Sequence, residues 1–180
     1  PVINGLTDYS HPCQILADMQ TFYELRGPLT GKKVAFVGDG HNMCQSYLIA
    51  SEVFGYDLAV ATPEGFEPQA ELVERYGDRT TLLRDPQEAV ADADLVVTDV
   101  WASMGHEDQQ LLRFRRFQGF QVDEAMLDRA RDDALFMHCL PAHRGQEISE
   151  DLLEDARAVV WQEAGNRLHS QKALLEFLLA

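Results

Sequence analysis

The sequence predicts an α/β fold: a single domain with a doubly wound, mostly parallel sheet flanked by helices in the Rossmann-like manner. Three observations lead there. Short apolar runs alternate with helix-patterned stretches at the spacing of strand–crossover–strand units. The 180 residues suit one compact domain, and the 46% apolar share is enough to fill its core. No internal repeat, low-complexity stretch or linker breaks the alternation.

The elements follow in order. After an irregular lead-in over residues 1–10, Ile15, Leu16, Met19, Phe22 and Tyr23 share one helical face. Pro12 lies in the first turn, where its missing N–H is no loss, Ser10 is a candidate cap, and Arg26-Gly27-Pro28 ends the helix. Residues 33–37 read as a buried strand, Gly38-Asp39-Gly40 as a turn, and a helix runs on to about Phe54. Residues 57–61 form a second strand, 68–76 a helix, 81–83 a short strand, 86–91 a helical turn and 94–98 another strand. Helical segments are expected over about 106–117 and 123–130. Residues 134–137 and 158–161 read as the last strands, and an apolar helix closes the chain from about Ala164.

The net charge of -15, from 30 acids against 15 bases, disfavours nucleic acid, whose phosphates need a basic face. It suits a cationic small ligand, or simply a solvated acidic surface. No apolar run approaches the ~18 residues of a membrane span, so no membrane partner is expected. Three cysteines without a C-x-x-C pair suggest neither a disulfide framework nor a common zinc site, and a cytoplasmic, reducing location follows as the expectation. The first residue is Pro1 and not Met, as in a processed chain or a piece of a longer one.

In an open parallel sheet, ligands bind at the carboxyl ends of the strands. Four motifs fall there or at helix starts. Gly38-x-Gly40 lacks the third glycine of a dinucleotide fingerprint, since Met43 stands in its place. A tight turn leading to Asn42 fits better, with Asn42 either capping the next helix or offering its amide to a carboxylate. Asp99, at the end of a strand, could hold an ammonium group, with Ser103, Met104 and Gly105 after it arranged for a carboxylate; the plain alternative is a loop-capping aspartate. His138-Cys139-Leu140-Pro141 follows another strand. Cys139 could be a packing thiol, and Leu140–Pro141 is a candidate cis bond that would expose the Leu140 carbonyl. No fourth ligand joins His138, Cys139 and His143, so no metal is expected. His11-Pro12-Cys13-Gln14 sits at an electropositive helix start. Arg167, in Glu163-Ala-Gly-Asn166-Arg167, could grip a phosphate or bridge to a surface acid.

Taken together and in this order, the motifs resemble those of the aspartate and ornithine carbamoyltransferase family over nearly the whole chain. The aspartate branch has His-Pro-Leu-Pro-Arg where this sequence has His138-Cys139-Leu140-Pro141. The Ser103-Met104-Gly105 loop, with the trailing 117–122 segment, is similar to the ornithine branch. The resemblance implies the ornithine-binding domain over residues 1–180, with the interdomain helix at its start. It implies that His11 and Gln14 contact the carbamoyl group of carbamoyl phosphate. Asn42, Asp99, Ser103 and Met104 would hold L-ornithine, Cys139 and the Leu140 carbonyl would lie between the substrates, and Arg167 would reach carbamoyl phosphate. His11, Gln14, Asp99 and Cys139 would be the catalytic set. No metal or organic cofactor is implied, because phosphate is already a good leaving group. A trimer-based homo-oligomer is implied for the full-length enzyme.

The family's Ser-Thr-Arg-Thr-Arg phosphate motif does not occur in the 180 residues, which is the departure that matters most. It belongs to a carbamoyl-phosphate domain expected to lie outside this chain. His41 stands where Asn is common, with little effect expected. The alternatives are a non-catalytic amino-acid-binding module, or a carbamoyltransferase for a related amine. A last expectation concerns the terminal helices. Their apolar faces would be hidden by self-association, by exchange with a second copy, or by packing on each other.

Overall fold

The structure is a computed structural model that describes residues 1–101 and 110–180. The first part of the helix expected over about 106–117, and the roles expected of Ser103, Met104 and Gly105, lie outside the described residues. Five parallel strands form one sheet in the order β3-β2-β1-β4-β5, with β1 Lys33–Val37, β2 Asp57–Ala61, β3 Thr80–Leu83, β4 Leu95–Thr98 and β5 Leu135–His138. The register aligns their ends: Val37 pairs with Ala61 and Thr98, and Thr98 pairs with His138. All the carboxyl ends therefore open on one edge. The chain order reverses between β1 and β4, which creates the crevice used for ligands in such sheets.

Strands β1, β2, β4 and β5 read as largely apolar runs because both faces are covered, whereas β3 at the edge is only partly covered. On one face Val34, Phe36, Leu58, Val60, Leu95, Val97 and Met137 pack against α1 Pro12–Arg26 and α2 Asn42–Phe54. On the other, Ala35, Val37, Ala59, Ala61, Val96 and Phe136 meet α4 Pro86–Val90, α6 Glu124–Leu127 and the aromatics Trp101 and Phe117. Alternate residues of one strand thus serve two cores, as the two-residue pleat requires. Each fully buried side chain of this size is worth about 1.5–3 kcal/mol. The second face is alanine-rich, which lets α4 lie close to the sheet. Outside these layers, α3 Ala70–Tyr76 follows β2, and α5 Gln110–Arg116 is tied back to the sheet edge.

The segment 158–161 is a correction. It forms no strand. Phe136 N–H donates to Arg157 O at 2.8 Å and Val159 N–H to Phe136 O at 3.0 Å, a single bridge beside β5. Val159 O then accepts from Glu163 N–H, so the chain is already turning into α7 Val160–Leu179, four residues before the expected start. Val160 is buried and Trp161 exposed, which fits a helix turn as well as a strand; two residues are too few to separate the periods. Ser10 is no cap either: α1 is capped by His11 without a side-chain bond, and Ser10 Oγ accepts from Asn4.

The two terminal helices pair with each other. Asn166 Nδ2 on α7 donates to Thr21 Oγ1 on α1 at 2.9 Å, in a buried contact. Packing within one chain is thus the arrangement adopted, and it is incomplete. Tyr23, Leu168, Leu175 and Phe177 remain exposed, and Ile3, Cys13, Leu16, Val53, Phe54 and Leu174 line an apolar groove of about 330 Å3. Among the described residues no helix is long and apolar enough to cross a membrane.

Candidate active site

The β1/β4 crevice holds the site. The turn after β1 is built from close approach. Gly40 N–H donates to Phe66 O at 2.8 Å, and a Cβ on Gly40 would lie 2.3 Å from Pro68 N. The glycine pair therefore serves a chain crossing, and Met43 fills the core beneath it. Arg113 on α5 forms an ion pair with Asp39 of this turn and donates to Trp101 O at 2.8 Å, tying α5 to the crevice. Burial holds Asp39 above the usual carboxylate range, opposed by the Arg113 charge.

Asp99 follows β4 and Cys139 follows β5. Because β4 and β5 are neighbours in register, the two side chains meet: Cys139 Sγ donates to Asp99 Oδ1 at 3.2 Å. Burial, then the Asp99 charge, pushes the thiol well above its usual range. It is a protonated donor and not a thiolate. The Leu140–Pro141 bond is cis, as expected, and Leu140 has φ 55°. His138 shapes this turn from inside: its Nδ1 accepts from Leu140 N–H at 2.9 Å, and its Nε2 lies 3.3 Å from Glu147 Oε1. One donor atom each from Asp99, His138 and Cys139 lie within 4.8 Å of one another. With both His138 nitrogens engaged and the thiol protonated, the trio is a poor metal site.

The wall opposite is α1 and α7. His11 N–H donates to Ser46 Oγ at 2.7 Å, and Ser46 Oγ donates to Asn42 O at 2.6 Å, joining the starts of α1 and α2. His11 Nδ1 is buried and has no partner among the described residues. Burial, reinforced by the Arg167 charge, holds His11 below the ordinary imidazole value, so it is neutral at pH 7. Gln14 Oε1 accepts from Arg167 Nη1 at 2.5 Å, and its Nε2 donates to Asp18 and Glu163. The Asn42 amide donates to Thr7 O at 3.0 Å and its oxygen accepts from Met43 N–H, so it is committed to the lead-in segment.

The structure thus gathers His11, Gln14, Arg167, Asp99, Cys139 and Leu140 at one edge, with Asn42 linked to them through Ser46. Sequence reasoning missed Asp18, Tyr47, Glu147 and the role of Glu163, all buried behind the site. Asp18 had one signal: it stands one helical turn after Gln14 and on the same face as the apolar Ile15 and Phe22.

Fold and site define an open-sheet α/β domain that gathers polar side chains at the carboxyl edge of its sheet. Residues 30–178 match the Asp/Orn binding domain of aspartate/ornithine carbamoyltransferase, and the chain belongs to that family. It is 63% identical over 179 residues to the anabolic ornithine carbamoyltransferase of Pseudomonas aeruginosa, covering 99% of this chain and 59% of that one. It is 60% identical to the ornithine carbamoyltransferase of a Psychrobacter species, with 99% and 58% covered. Among solved structures, the ornithine carbamoyltransferase from Thermus thermophilus superposes with a TM-score of 0.91 at 42% identity, covering 100% of this chain and 59% of that one. The enzyme from Burkholderia thailandensis gives 0.90 at 48% identity, with 99% and 58% covered. The chain spans about 59% of the length of the curated relatives it matches.

Proposed function

We propose that this chain is the ornithine-binding half of an ornithine carbamoyltransferase, which moves the carbamoyl group of carbamoyl phosphate to the δ-amine of L-ornithine and yields L-citrulline and phosphate. The observation that carries the reading is the Asp99–Cys139 contact at the carboxyl ends of β4 and β5, in a chain 63% identical to an enzyme of that name. Asp99 accepts from the α-ammonium of ornithine, while Ser103, Met104 and Asn42 hold its α-carboxylate; the Asn42 amide exchanges its Thr7 contact for the ligand. An amine with a pKa near ~10 is mostly protonated at neutral pH, so the site must bind it where the lone pair is freed. A protonated Cys139 thiol beside Asp99 offers a polar, water-poor place for that transfer.

Carbamoyl phosphate lies against α1. The unpartnered Nδ1 of His11 donates to the carbonyl oxygen in the tautomer that protonates it, and so stabilises the oxyanion as the amine attacks. Gln14 Oε1 and the Leu140 carbonyl accept from the carbamoyl NH2, and Arg167 adds positive charge toward phosphate. The C–N bond forms as the C–O bond to phosphate breaks, and the amine proton leaves to solvent or phosphate. Holding two substrates in line supplies much of the rate.

A separate carbamoyl-phosphate domain brings the remaining phosphate grip and covers the apolar groove beside Cys13 and Leu174. The complete enzyme is a trimer-based homo-oligomer in the cytoplasm, in keeping with three free cysteines. The test is citrulline formation by the complete enzyme from ornithine and carbamoyl phosphate. Carbamoyl transfer to aspartate instead, or ornithine binding with no turnover, would replace this reading with one of its alternatives.

A further inference from the structure

Behind the site, two acidic side chains from opposite ends of the chain are buried together. Asp18 on α1 is 0% exposed and Glu163 on α7 is 1% exposed. Two adjacent buried carboxylates resist ionising together: burial raises both, and the Asp18 charge raises Glu163 further, so the pair shares a proton. Every carboxyl oxygen is spoken for. Asp18 Oδ1 and Glu163 Oε1 each accept from Gln14 Nε2 at 2.8 Å. Asp18 Oδ2 accepts from Tyr47 OH at 2.8 Å, and Glu163 Oε2 accepts from His138 N–H at 3.0 Å.

We propose that Asp18 and Glu163 are positioning residues that lock the Gln14 amide in one orientation, oxygen toward the carbamoyl donor, and tether β5 where the Cys139 turn begins. The argument is one of donors and acceptors. Turning the Gln14 amide over would set its NH2 against the Arg167 guanidinium, donor against donor, and its oxygen against a carboxyl pair with at most one proton to donate; three hydrogen bonds would fall to at most one. The amide therefore presents only an acceptor to the crevice, which selects a ligand NH2 over a ligand carbonyl. Glu163 does this while bonding the backbone of His138, so α1 and β5 are held through a single side chain. The inference deepens the proposed function and rests on Gln14 meeting the carbamoyl NH2. Burial pushes Asp18 up to about 6 and Glu163 well above its usual range, in keeping with a pair that keeps a proton at neutral pH.

The test uses the complete enzyme with Glu163→Gln, Asp18→Asn and both. Each single change weakens one of the two acceptors that fix Gln14 Nε2. We expect kcat to fall by about 10–100-fold, as for other hydrogen-bonded partners behind a binding group, with KM raised for carbamoyl phosphate and little changed for ornithine. The double variant should be no worse than the poorer single, because the two act as a unit. A lower melting temperature with unchanged kcat and KM in the folded enzyme would mean a purely structural pair and overturn the proposal. If the substitutions prevent folding, Tyr47→Phe, which removes one bond to Asp18, should still shift the carbamoyl-phosphate KM; an unchanged value overturns the proposal. Infrared spectra give a readout free of activity. A protonated-carboxyl C=O stretch at neutral pH, lost in Glu163→Gln, is expected, and its absence from the parent refutes the shared proton. An enzyme that shows this band but makes no citrulline would instead refute the proposed reaction.

Discussion

Gly40→Ala is the most exacting check on the architecture of the crevice. Gly40 lies where the β1–α2 turn crosses residues 66–68. A methyl group there would stand 2.3 Å from Pro68 N, 2.4 Å from Glu67 C and 2.5 Å from Phe66 O. All three are backbone atoms, so no rotamer change relieves the overlap. The Gly40 N–H bond to Phe66 O, 2.8 Å long, would have to lengthen as the two segments part. Overpacking typically costs about 1–3 kcal/mol, and this contact belongs at the upper end, about 3 kcal/mol. For a chain of this size each kcal/mol lowers the melting temperature by roughly 2–4 °C, so a drop of about 6–12 °C is expected. The assay is thermal unfolding followed by circular dichroism, with Gly5→Ala as control, since nothing lies within 4 Å of a Cβ there. The displaced turn carries Asp39 and leads to Asn42, so ornithine affinity should fall as well. A melting temperature within about 2 °C of the parent would refute the account of this crossing.

Four further outcomes are expected. Asp99→Asn in the complete enzyme removes a charge-assisted bond worth roughly 1.5–3 kcal/mol, so KM for ornithine should rise by about 10–100-fold; an unchanged KM and kcat would remove Asp99 from ornithine binding. Cys139 should resist alkylation at neutral pH because burial and the Asp99 charge raise its pKa, and Asp99→Asn should speed the reaction; fast labelling of the parent, read by mass spectrometry, contradicts this. Gly165→Ala, exposed in the middle of α7 with open space around its Cα, should raise stability by about 1 kcal/mol, and urea unfolding will expose any loss instead. The Asp18 pKa of about 6 in the fold exceeds the ordinary 3.8, so the native state binds more protons than the unfolded state between these values. The contribution is fully present below about pH 4 and is lost as pH rises through about 6, and Asp18→Asn should flatten that part of the urea-stability profile.

Most of the sheet was legible because β1, β2, β4 and β5 are largely apolar runs buried on both faces, whereas β3, Thr80–Leu83, is a partly exposed edge. The strand-end positions of Asp99 and Cys139 followed directly, since a parallel register turns chain order into one shared edge. The segment 158–161 misled because Val159, Val160 and Trp161 carry no period long enough to tell a strand from a helix turn. The acid pair was illegible for a different reason. Asp18 and Glu163 meet only after α7 docks on α1, and nothing local to either residue announces the other. Asn42 reads from the sequence as a helix cap or as an amide offered to a carboxylate; that Thr7 O accepts from its amide could not be read, because the lead-in segment has no pattern.

The pairing of α1 with α7 also sets when the site can exist during synthesis. Gln14 precedes Glu163 by 149 residues and Arg167 by 153, so these two partners are made long after it. Domains condense from the N-terminal side as they emerge, so the sheet can assemble while Gln14 still lacks two of its three partners. A ribosome that stalls before Val160 releases a chain with all five strands and an unanchored amide. Such a product leaves Asp18 beside a gap where α7 should lie, an apolar and acidic surface open to proteases and chaperones. Until α7 is made, the domain can hold its sheet but has no defined wall around Gln14.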